Sequence, residues 1–180
     1  MEIDPNNLRW VYQGKTDTVV ETIRAVFEQN FERFDVTIRT TDDPPPVDET
    51  LVSRVYFGGF DRNAFGIAEA VDLYNVDYCD DAVIFTESFQ PRLFSSTPTA
   101  VEMGIAIGNV GSHEAGHLLG LNHVDDDRAL MDDQSAADAF IDDQEFMEAR
   151  LSRDIMPIGT QDAVLLLDEI VGPSAGLAPR

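Results

Sequence analysis

His113-Glu-Ala-Gly-His-Leu-Leu-Gly-Leu-Asn-His123 holds all three histidines of a 180-residue chain. His113 and His117 are four apart, so on a helix they project from one face about one turn from each other. Two imidazoles so placed reach a single ion. Zinc is the natural tenant of an imidazole set, tetrahedral with a fourth position left open. Glu114 follows the first ligand, where it can take a proton from water at the ion without binding the ion itself. Gly120 lets the chain leave the helix, because glycine adopts a positive φ without penalty. The turn then brings His123 to the third ligand position. A bare HExxH arises on chance helices; the extended HExxHxxGxxH is far more specific.

Working outward, Thr99 followed by Glu102 has the form of a capping box. It predicts a helix that starts there, runs to about Leu119 and stops at Gly120. Upstream, Asp17 to Phe34 carries Val19, Val20, Ile23, Val26, Phe27, Phe31 and Phe34 at helical spacing, which predicts an amphipathic helix. Asp35 to Thr40 alternates and reads as a strand, broken by Asp42 to Pro46. Leu51 to Phe57 reads as a second strand, Ile67 to Leu73 as a short one, and Asp81 to Phe89 as another. Gln161 to Val171 reads as a closing helix, ended by Gly172-Pro173. The order predicts an α+β fold: a small twisted mixed sheet, three main helices and an active-site cleft. The length fits one catalytic domain over 1–180. Its N-terminal part, about 1–120, holds the sheet and the histidine-bearing helix; about 121–180 forms a C-terminal part.

HExxHxxGxxH followed by a methionine resembles the metzincin superfamily of zinc peptidases, and its matrixin-like branch in particular. In that family a tight methionine turn runs beneath the metal. Met131 in Ala129-Leu130-Met131-Asp132 matches it best, eight residues after His123; Met156 is a more distant second candidate. The element order is similar to that of matrixins. The resemblance implies that the segment from Gly66–Asp72 to Asp81–Phe85 holds the edge strand and the strand before it, the edge strand pairing with an extended substrate, and that a wall over roughly Asp133 to Pro157 sets specificity. The chain departs from the family in several ways. It has no histidines to spare for a structural zinc, so a single catalytic zinc is expected. A PRCGxPD motif is absent, and Cys79 in Asp-Tyr-Cys-Asp-Asp reads as a bystander. All four tyrosines precede the motif, so the extra tyrosine ligand of the astacin branch is missing.

Composition narrows the partners. There are 34 acidic residues against 12 basic ones, a net charge of −22, and Lys15 is the single lysine. Such a field repels phosphate, so neither nucleic acid nor an anionic membrane is an expected partner. The bland explanation is a strongly solvated surface. The sharper one is calcium, which takes several oxygen ligands from a loop and which family members often carry near the place of Asp77, Asp80 and Asp81. Those three residues are the calcium candidates; Asp125 to Asp127, Asp132-Asp133 and Asp142-Asp143 are weaker. One cysteine permits no internal disulfide, and no apolar run is long enough to cross a bilayer. The stretch Met1-Glu-Ile-Asp-Pro5 lacks the parts of a signal peptide. The expectation is secretion or cell-surface display as part of a longer precursor.

These readings converge on a zinc-dependent endopeptidase acting on a protein or peptide substrate as a monomer, with His113, His117 and His123 as ligands and Glu114 as general base. Two alternatives stay open. One is a catalytically weak or inactive peptide-binding module of the same shell, which intact Glu114 opposes. The other is a zinc hydrolase of a non-peptide amide, which a deep closed pocket would favour.

Overall fold

The motif requires a long helix, and the computed structural model, which describes residues 12–133 and 136–175, has it as α2, Ala100–Leu118. The Met1 to Pro5 stretch read for a leader lies outside the described residues, as do Gln134 and Ser135 of the expected specificity wall. The capping box is present in full. The Glu102 N–H donates to the Thr99 hydroxyl at 3.2 Å, and the Thr99 N–H donates to the Glu102 carboxylate at 2.7 Å. Two of the four orphan donors of the first turn are thus satisfied. At the other end Gly120 takes φ +87°, and the chain turns as expected.

Most faces of α2 are buried, as befits a central helix. Helix α1, Thr16–Phe31, lies against it and buries Val19, Ile23, Phe27 and Phe31. The helices come close because α2 presents glycines to α1. A Cβ on Gly104 would lie 2.5 Å from Thr22 Cβ, and one on Gly108 would lie 2.7 Å from Val26 Cβ. Helix α1 ends three residues before the sequence pattern does. The Glu32 N–H turns back to Gln29 O and the Phe34 N–H to Phe31 O, so the last turn tightens and the helix stops. Phe34 stays buried by bridging to Pro173.

The sheet is mixed, in the order β1-β3-β2. Strand β1 (Arg54–Phe57) runs parallel to β3 (Asp81–Ile84), and β2 (Gly66–Ala68) runs antiparallel to β3 as an edge. The strands are shorter than the sequence pattern predicts. Glu49–Leu51 is a 3-10 turn capped by Asp48 rather than the start of β1. Strand β2 stops at Ala68, and the chain reaches Tyr74 and Asn75 at φ +69° and +49°. Beyond β3, Thr86–Ser88 is again a 3-10 turn. Asp35 to Thr40 forms no strand, although its alternation is real: Val36 and Ile38 pack on the core while Asp35, Thr37 and Arg39 are exposed. Alternation reports which side is buried; a ladder also needs a neighbouring strand.

After Gly120 the chain is held by pairs rather than by elements. Val124 bridges to both Asp132 and Leu151, and Ala129 bridges to Glu145. Strand β4 (Glu148–Arg150) pairs with β5 (Thr160–Asp162). Gln161 and Asp162, expected as helix, belong to β5, and Asp162 caps α3 (Ala163–Ile170) by accepting the Leu165 N–H at 3.0 Å. Phe146 ties this region to the first, its ring centroid 5.2 Å from Phe31 and 6.0 Å from Phe34.

Candidate metal centre

Helical spacing puts His113 and His117 on one face of α2, and the Gly120 turn returns His123 to the same point. The three Nε2 atoms form a triangle with sides of 3.1, 3.0 and 3.1 Å. The far side of two rings is fixed. His113 Nδ1 lies 2.8 Å from Leu130 O, and His117 Nδ1 lies 2.7 Å from Leu121 O. A carbonyl can only accept, so both Nδ1 atoms donate. Burial, helped by the neighbouring imidazoles, lowers the His113 pKa to about 3. Burial likewise lowers that of His117 to about 4, against the Leu121 carbonyl, which raises it. Both rings are therefore neutral near pH 7, with bare Nε2 lone pairs aimed at one another.

Three converging lone pairs repel unless a cation sits among them. Nitrogens about 2.0–2.1 Å from one tetrahedral ion lie about 3.3 Å apart, close to the observed sides. The donor set therefore fits zinc, and the carbonyls behind the rings are the outer partners that such ligands use. Burial lowers the His123 pKa too, opposed by the charges of Asp133 and Asp132. The backbone of His123 is held by the Ser152 N–H, which donates to His123 O at 3.0 Å. The Ser152 hydroxyl in turn donates to Asp133 in a short hydrogen bond.

Glu114 is buried beside this triangle. Burial raises its pKa to about 7, and the Ala68 N–H pulls the other way. Its carboxylate rests against Gly66 of the edge strand: a Cβ built there would lie 2.7 Å from Glu114 Cγ and Oε1. Met131 is buried, and its Sδ lies 2.6 Å from where a Cβ on Gly116 would stand, underneath the histidine-bearing turn. Met156, the other methionine considered, is half exposed at 49%.

Among the described residues, Asp77, Asp80 and Asp81 do not form a group with ligand atoms within 4.8 Å of one another. Asp77 sits in an exposed turn, accepting from the Cys79 N–H at 3.0 Å. Asp80 is buried, and burial raises its pKa, with Asp72 and Asp77 adding to the effect. Asp81 opens β3. Among the described residues, the histidine triad is the group of three or more His, Cys, Asp or Glu whose ligand atoms lie within 4.8 Å of one another. Cys79 is exposed and lies outside that group.

Sequence reasoning missed Gly66 and Ala68 around the glutamate, and the Leu121 and Leu130 carbonyls behind the rings. The carbonyls carry no side-chain signature. The small-large-small pattern Gly66-Ile67-Ala68 was a legible hint, since glycine inside a strand often marks a close approach. Against known proteins, the family model described as Matrixin matches residues 10–143. No curated protein and no solved structure matches the chain.

Proposed function

Since the chain belongs to the matrixin family and is a zinc metallopeptidase of that kind, we propose that it is an endopeptidase with His113, His117 and His123 as the zinc ligands and Glu114 as its general base. The observation that carries this reading is the triangle of bare Nε2 atoms with a buried carboxylate on the next residue of the same helix. The chemistry that zinc supplies in such a set is Lewis acidity.

The chain's own groups do the rest. Glu114 takes the proton of the attacking water at a carboxylate oxygen and delivers it to the leaving amide nitrogen as the C–N bond breaks. A carboxyl whose proton affinity is raised by burial suits both halves of that transfer. The Ala68 N–H and the side-chain-free space over Gly66 hold it in place. Met131 supports the ligand-bearing turn from below. Strand β2 offers a free edge to an extended peptide. Phe65 O and Glu69 N–H bond inward to β3, so by alternation the amide groups of Gly66 and the carbonyl of Ala68 point away from β3, toward an added strand, while the Ala68 N–H serves Glu114. A secreted or cell-surface setting fits the family, and among the described residues no helix is long and apolar enough to cross a membrane.

The test is zinc content together with casein cleavage, for wild type and Glu114→Ala. We expect one zinc per chain in both proteins and a loss of turnover of about 10²–10⁴-fold in the variant, the scale of general base catalysis. Equal cleavage by the two proteins, or wild type without zinc, would defeat the proposal.

A further inference from the structure

We infer that Gly66 is a positioning residue for the reaction: its missing side chain is the cradle that fixes the carboxylate of Glu114. The inference rests on the peptidase reading above and adds a residue to it.

A glycine within a three-residue strand weakens that strand and calls for a reason. Its φ is not the reason, since Gly66 does not appear among the residues with positive φ. The reason is contact. A Cβ at position 66 would stand 2.7 Å from Glu114 Cγ, 2.7 Å from Oε1 and 3.0 Å from Cδ. Real Cβ atoms do not come so close, so one partner must move. The strand is the stiffer of the two. The Phe85 N–H holds Phe65 O at 2.8 Å, and the Phe65 ring packs against Phe89 and Phe140 with centroids 4.8 and 5.2 Å away. Gly66 and Ala68 are also registered against Ile84 and Ala82. Glu114 has three rotatable bonds and yields more readily. A methyl group at position 66 therefore spares the fold and pushes the carboxylate out of place. Misplacing a reacting group by about 1 Å costs on the order of 100-fold in rate.

The experiment compares wild type with Gly66→Ala for zinc content, thermal midpoint, and kcat and KM on a fluorogenic peptide selected from the casein cleavage sites. A crystal structure of the zinc-loaded variant completes it. We expect full zinc occupancy, a thermal midpoint within a few degrees of wild type, an unchanged KM and a kcat lower by about 10- to 100-fold. The Glu114 carboxylate should be displaced in the crystal. An unchanged kcat, a loss of zinc, or a carboxylate left in place with β2 displaced would each overturn the inference. Should wild type itself fail to cleave, the peptidase reading falls, and the crystal structure alone decides the positioning role.

Discussion

His113 and His117 ride on α2, a capped helix with a regular hydrogen-bond ladder and α1 packed along it. His123 rides on a segment held by isolated bridges at Val124 and Ala129, by paired hydrogen bonds between the Asn122 backbone and the Gln161 side chain, and by a loop bond from Ser152. Both regions are well buried: Leu121, Val124, Leu130 and Met131 are as enclosed as the core of the helix pair. They differ in how their geometry is specified. On α2 the two ligands are set by local periodicity, whatever happens elsewhere. Below it, the third ligand depends on contacts between residues far apart in sequence. Leu130 O, which orients the His113 ring, belongs to that second region. A metal ion that joins the ligands therefore acts as a staple between a self-sufficient part and a dependent one.

The largest test of this contrast is removal of zinc. Zinc at about a thousand times its dissociation constant stabilises the folded chain by about 4 kcal/mol. After chelation, hydrogen exchange should quicken most across residues 121–133 while the centre of α2 stays protected. Equal loss of protection in both would break the comparison. Next in size is Met131→Ala, which empties a site 1% exposed beneath Gly116 and should cost about 2–5 kcal/mol in denaturant unfolding. Met156→Ala, at a side chain 49% exposed, should stay within about 0.5 kcal/mol. A reversed order would move the methionine turn to the second candidate. Smallest is Thr99→Ala, which removes the α2 cap for about 1 kcal/mol. That change should fray the first turn and leave zinc affinity untouched, since the ligands lie more than three turns away. A fall in zinc affinity would show that α2 is less self-sufficient than its ladder implies.

What was legible in the sequence follows the same division. The cap at Thr99, the helix and its stop at Gly120 rest on residues within a turn of each other, and the structure has all three. The triad was legible because helical spacing sets two ligands and Gly120 marks the turn toward the third, while the distant contacts that hold His123 in place left no trace in the sequence. The extended run at Asp35 to Thr40 misled because its alternation reflects packing on the core rather than pairing. Strand lengths were overestimated because apolar patterns continue past the point where β3 offers a partner. Residues 121–162 were hardest, since a bridge such as Ala129 with Glu145 leaves no periodic trace. The contact of Gly66 with Glu114 joins residues 48 positions apart, and only the fold reveals it.

His117 is tied down at more points than either of the other ligands. Its Nδ1 is bound to Leu121 O, and its carbonyl receives the N–H groups of both Gly120 and Asp72. The loop after the edge strand is thereby fastened to the same residue whose ring faces the other two imidazoles. That arrangement sets a sequence of events for demetallation. On removal of zinc, His123, carried on the more easily loosened segment, is expected to lose its place first and His117 last.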